Sequence, residues 1–204
     1  MPRTTLPGVS SATFRNRSKS SSRKPLRIVG VDAGAISSRQ GKTVLVLVLL
    51  EGQRIIDLRL GQITVDGVDA QPTLVSLLKG FAYDAVMLSG VSFGGFNLVD
   101  LRRIAKIVGK PAIAVIGEKP DNGAVREALR KHFGDWRERW RAVRNAGPLH
   151  SCRPLKAEPK LYFEVRGCSP AAAERFICSS SLVSRLPEPV RVAGLLARGL
   201  GLVA

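Results

Sequence analysis

Three cysteines in 204 residues, Cys152, Cys168 and Cys178, are too few and too unevenly spaced for a disulfide framework or a zinc site. They read as reduced thiols of a cytosolic protein. The two histidines, His132 and His150, lack partners at metal-ligand spacing and read as surface or core side chains. No stretch reaches the roughly 18 uninterrupted apolar residues of a membrane helix; the longest run, Val44 to Leu50, is of strand length. A Gly-x-x-x-x-Gly-Lys-Ser/Thr spacing is absent, so a P-loop nucleotide triphosphatase is not supported. Acidic residues are also scarce. Asp and Glu number 16 against 32 Lys and Arg, a formal net charge of +16 with a pI near 10.9. That excess points to a polyanionic partner, DNA or RNA, because a summed positive field concentrates phosphate.

Part of the charge is local. Residues 1–24 hold Arg3, Arg15, Arg17, Lys19, Arg23 and Lys24 among Ser and Thr, with no acid. This reads as a disordered basic arm, similar in composition to a transit peptide but without a signal-peptide apolar run. Taking those six cations from +16 leaves +10 on residues 25–204, read as one domain.

Leu26–Val31 is a short apolar run closed by Asp32 and Gly34, Thr43–Leu50 is a second strand, and Arg54–Ile63 follows it after the short connection Glu51-Gly52-Gln53. Short links favour antiparallel pairing, so the spacing predicts a three-strand meander. Helix 69–78, strand 85–88, a Gly-rich turn at 90–95, a helix from Asn97 to Val108, strand 111–116 and helix 124–133 come next. Alternation implies parallel β-α-β units with helices on both faces of a mixed sheet. A basic helix at 136–144, a strand at 161–165 and helices at 170–178 and 189–200 complete the reading. This α/β order is that of a ribonuclease-H-like fold.

Asp32 ends the first buried strand, and strand ends form the crevice where α/β sheets bind ligands. A turn-forming Asp before Gly34 explains it equally well. Asp66 suits a turn and Asp69 a helix N-cap, yet either carboxylate is also placed to reach a hard cation beside Asp32. The turn carrying Gly94 and Gly95 leads to Asn97, and N–H groups at a helix start can hold phosphate. Asp100 in the first turn suits the helix dipole. Lys119 follows a strand and is placed to touch phosphate. Trp136 and Trp140, interleaved with Arg137, Arg139, Arg141 and Arg144, fit base stacking or a core seam equally. Glu188 and Arg191 open the last helix as an internal pair.

The blocks Val-Asp at 31–32, Val-Asp-Gly-x-Asp at 65–69, Gly-Val-x-x-Gly-Gly-Phe-Asn-x-Val-Asp at 90–100, Lys-Pro-Asp at 119–121 and Pro-Glu-Pro-x-Arg-x-Ala at 187–193 resemble the archaeal endonuclease dU family. That family is similar in turn to endonuclease V. The likeness runs from about residue 26 to the C-terminus, with Gly-Phe-Asn-x-Val-Asp its most specific part. It implies an endonuclease V-like domain, a Mg²⁺ cofactor (Mn²⁺ as substitute) and action on DNA with deaminated bases in repair. It also implies metal-binding and catalytic roles for Asp32 and Asp69, with Asp66 as fallback. The third acid of endonuclease V falls at Ser89, which leaves Asp100 as the candidate for the missing carboxylate. The family's second aspartate is Ala33 here, and its final-helix histidine is Gly194. Gly94, Gly95, Asn97, Lys119, Arg137 and Arg141 are the expected nucleic-acid contacts. The rival expectation is an inactive nucleic-acid-binding protein on the same scaffold.

Overall fold

The computed structural model describes residues 24–36 and 41–201. The expected basic arm therefore lies, except for Lys24, outside the described residues.

Strands β1 (Arg27–Ala33), β2 (Lys42–Glu51) and β3 (Arg54–Thr64) form the expected antiparallel meander. Helix α1 (Ala70–Leu78) returns the chain to β4 (Ala85–Leu88), which pairs parallel with β1. A small hairpin, β5 (Ser92–Phe93) and β6 (Asn97–Leu98), precedes α2 (Leu101–Val108) and β7 (Ala112–Ile116), parallel to β4. Then come α3 (Asn122–His132), α4 (Trp136–Ala146), β8 (His150–Cys152), β9 (Leu161–Arg166), α5 (Pro170–Ser180) and α6 (Glu188–Gly201). The main sheet runs β3-β2-β1-β4-β7-β9-β8, with β9 antiparallel to β7 and β8.

The apolar run in β2 shows why the sheet is covered on both sides. Leu45, Leu47 and Leu49 join the core under α1 and α2. Val46, Val48 and Leu50 face the other way, onto Ala193 and Ala197 of α6. A strand buried on both faces needs apolar residues at every position, and the sequence supplies them in place of an alternating pattern. Each such side chain contributes about 1.5–3 kcal/mol on burial. The edge strand β3 is different: Ile56, Leu58 and Leu60 stay exposed.

Helix α6 crosses β1 at very short range. A Cβ on Gly30 would stand 2.0 Å from the Pro189 carbonyl, so only glycine admits the start of α6 there. This contact brings the α6 face carrying Arg191, Gly194 and Arg198 over the C-terminal end of β1.

Two local expectations are corrected. Asn97 does not cap a helix: it lies buried in β6, and α2 starts at Leu101 with Asp100 as its N-cap, accepting from the Arg103 N–H at 3.0 Å. Asp69 occupies the N-cap position of α1 but makes no capping bond, because its carboxylate turns back to Thr64. The hairpin and β8 were not expected; at two or three residues each they carry no periodic signal.

Candidate active site and nucleic-acid interface

Asp32 stands at the C-terminal end of β1, beside the end of β4. The Ser89 N–H donates to the Val31 carbonyl at 3.0 Å and places the next strand end against it. The Ser89 hydroxyl donates to Asp32 Oδ1 at 2.5 Å, and the Ala33 N–H donates to the same oxygen at 2.8 Å. Oδ2 points toward Gly194 of α6, where an added Cβ would sit 2.5 Å away and 3.2 Å from an Arg198 guanidinium nitrogen. Burial raises the Asp32 pKa above its ordinary value, opposed by the Ser89 and Ala33 bonds and by the Arg198 charge.

Asp32, Ser89, Gly194 and Arg198 line a cleft of about 270 Å³ together with Gly117, Arg185 and Arg191. Among the described residues, Asp32 is the sole carboxylate on its wall. Arg185 reaches Glu118 at 3.3 Å and the Lys160 carbonyl at 2.9 Å. Arg191 is held by Glu188 through bonds of 2.9 and 2.7 Å, the internal pair expected from the sequence. One acceptor ringed by three guanidinium groups suits an anionic ligand, since arginine presents several donors in a fixed fork. Arg185 and Arg198 were missed in the sequence. The signal for Arg198 was legible: Arg191, Gly194 and Arg198 follow helical spacing on one face.

The other two expected metal ligands lie elsewhere. Asp69 oxygens accept from the Thr64 N–H at 3.0 and 3.1 Å, the Thr64 hydroxyl at 2.8 Å and the Asn97 amide at 2.6 Å. Burial acts to raise its pKa, but the donors from Thr64 and Asn97 outweigh burial and hold it below the ordinary range. Asp69 thus braces the β3–α1 link. Asp100 lines a separate cavity of about 280 Å³ with Gln71, Arg103 and Arg139. Its Oδ2 accepts from Asn145 of α4 at 2.7 Å, and the Asn145 carbonyl accepts from Arg166 at 2.7 Å. Asp100 thereby ties α2 to α4 and β9. Asp66, the fallback, accepts from the Phe96 N–H at 2.8 Å. Among the described residues, Asp32, Asp69 and Asp100 do not gather within metal-binding reach of one another.

The expected nucleic-acid contacts divide the same way. Gly94 and Gly95 have positive φ, and a Cβ on Gly95 would fall 2.2 Å from Asp66 Oδ1. Their turn packs inward on the β3–α1 link and does not open a helix. Asn97 donates to the Thr64 carbonyl and accepts from the Ala70 N–H, both within 2.9 Å. Arg139 is also internal, donating to the Gly67 and Phe96 carbonyls at 3.0 and 2.6 Å. Lys119, Arg137 and Arg141 are exposed. Arg137 and Arg141 line a groove with Arg126, Trp136, Trp140 and Arg144, and the Arg137 guanidinium lies 4.8 Å from the Trp136 ring centre.

The endonuclease dU family model matches residues 24–201. The chain belongs to the endonuclease dU family. A UPF0215 protein of Thermococcus gammatolerans is 38% identical over 180 residues, covering 84% of this chain and 90% of its own. A solved protein of unknown function from Archaeoglobus fulgidus superposes with a TM-score of 0.77 at 27% identity, over 86% of this chain and 98% of that one. Endonuclease V of Ciona intestinalis, solved with a 24mer DNA containing an inosine followed by a ribo-adenosine, gives a TM-score of 0.59 at 16% identity, covering 89% and 88%. This member of the family therefore has the ribonuclease-H-like fold of endonuclease V. Its Ser89 and Gly194, both departures from the resemblance, turn out to be the two residues that flank the Asp32 carboxylate.

Proposed function

We propose that this chain is a metal-dependent endonuclease that cuts DNA near a deaminated base such as uracil, in repair. The observation that carries the reading is the Asp32 carboxylate, set at a strand end inside a cleft walled by Arg185, Arg191 and Arg198, in a chain of the endonuclease dU family. Mg²⁺ takes hard oxygen ligands and is commonly held by one or two carboxylates plus substrate phosphate. The donor set at the cleft fits the lower limit of that rule. Asp32 would hold the ion with Ser89 Oγ beside it, and phosphate oxygens of the strand would complete the set. Once bound, Mg²⁺ supplies an activated water and neutralises charge on the scissile phosphate.

The protein's own groups do the rest. The three guanidinium groups hold and orient the phosphate, and Ser89 fixes the rotamer of Asp32. Lys119 and the Trp/Arg groove on α4 supply further backbone contacts and stacking surface. A base to be read for damage leaves the stack, which costs least when it is mispaired.

A second reading is favoured by one observation: among the described residues Asp32 has no second carboxylate in its cleft, with Ser89 and Gly194 beside it. A nucleic-acid-binding protein without cleavage would need no more than this. Oligonucleotides bearing uracil, inosine or an abasic site, incubated with protein and Mg²⁺, decide between them. The nuclease reading expects nicking that Asp32→Ala abolishes while DNA affinity persists. Nicking that survives Asp32→Ala overturns it, and salt-sensitive binding with no nicking by wild type establishes the second reading.

A further inference from the structure

The three cysteines, dismissed as a metal site on spacing, divide once the chain is folded. Cys152 ends β8, the outer strand of the sheet, and is buried. Glu174 and Cys178 lie four residues apart on α5 and so project from the same side of that helix. Cys152 shares a core with Ala173 and Ile177 of α5 and with Leu161 and Phe163 of β9, which fixes the helix against the strand. As a result one ligand atom from each of Cys152, Glu174 and Cys178 comes within 4.8 Å of the others. Among the described residues this is the one such grouping of three metal-ligating side chains.

The dimensions suit one ion. Tetrahedral zinc with bonds of about 2.3 Å to sulfur and about 2.1 Å to oxygen holds its ligand atoms roughly 3.6–3.8 Å apart. Two sulfurs and a carboxylate select a borderline-soft cation, because thiolates favour zinc whereas Mg²⁺ takes oxygen. The grouping is also apart from the Asp32 cleft, whose walls come from β1, the residue after β4, the end of β7, the α5–α6 link and α6, and share no residue with it.

We propose that Cys152, Glu174 and Cys178 form a zinc-class divalent cation site that ties the outer strand β8 to α5. Three side chains supply the ligands and water takes the fourth position. The ion joins β8 to α5 at the outer edge of the sheet, where β8 is paired with one strand alone. Since the metal binds the folded arrangement and not the unfolded chain, it raises the melting temperature.

The test uses the full chain, reduced and stripped with chelator, then titrated with Zn²⁺ alone and with Co²⁺ alone. The expected result is one ion per chain, a thiolate-to-Co²⁺ charge-transfer band, and protection of Cys152 and Cys178 from alkylation by Zn²⁺. Cys178→Ser and Glu174→Gln, both at exposed positions, should each weaken Zn²⁺ binding at least about 100-fold, since even outer partners of a metal ligand are worth 10–100-fold. Cys168→Ser should leave it unchanged. Circular dichroism confirms that each variant is folded. Absence of binding with all thiols reduced overturns the proposal. So does a Cys152–Cys178 disulfide that re-forms in the presence of Zn²⁺. Neither result bears on nicking at Asp32.

Discussion

Glu164 sits in the middle of β9, only 5% exposed, opposite Ala114 of β7 and on the sheet face covered by α2 and α4. Burial pushes its pKa from 4.5 up to about 7, against the opposing pull of Arg166. The folded chain therefore keeps the proton over a range where the unfolded chain has lost it. Stability is greatest below pH 4.5 as far as this group is concerned, declines as pH rises, and levels off above 7. A difference of about 2.5 pH units corresponds to about 3 kcal/mol. Glutamine keeps the shape and carries no proton to lose. Glu164→Gln should match wild type near pH 4.5 and exceed it by about 3 kcal/mol at pH 8.5. For a chain of this size that is roughly 6–12 °C in melting temperature. Urea unfolding of both proteins at a series of pH values gives the difference directly, because other titrating groups cancel. A difference independent of pH, or a glutamine variant less stable than wild type at pH 8.5, would refute the assignment of the shift to burial.

Further outcomes follow from the division of the acidic residues. Asp100→Ala should cost about 1–2 kcal/mol in denaturant unfolding, through the lost α2 cap and the orphaned Asn145 amide. It should leave nicking intact well below the melting temperature, and a folded Asp100→Ala without activity would restore Asp100 to the catalytic set. Arg137→Ala and Arg141→Ala should each reduce the slope of log K against log salt for DNA by about 1, measured by fluorescence anisotropy. An unchanged slope would remove the α4 groove from the interface.

The covered faces of β2 illustrate how much was legible in advance. A strand apolar at every position announces burial on two sides, and short links announce antiparallel neighbours, so meander and layers follow from local rules. Local rules also account for Asp121, the N-cap of α3, whose carboxylate accepts from the Ala124 N–H at 3.0 Å. Asn97 misled because its best local role is a cap, whereas its side chain answers to Thr64, Asp69 and Ala70, more than 25 residues away.

Sequence alone determined the basic balance, the order of the longer elements, and the place of Asp32 at the end of a buried strand. These depend on composition and on neighbours within a few residues. Tertiary structure alone decided which carboxylates keep company. Asp69 and Asp100 satisfy backbone and amide donors brought to them by the β3–α1 link and by α4, while Asp32 is left facing Ser89, Gly194 and the arginines of α6. It also decided that Cys152 and Cys178, 26 positions apart, share one corner of the molecule. A hydrogen bond or a ligand set between distant residues is fixed by packing of whole elements, and spacing along the chain carries no record of it.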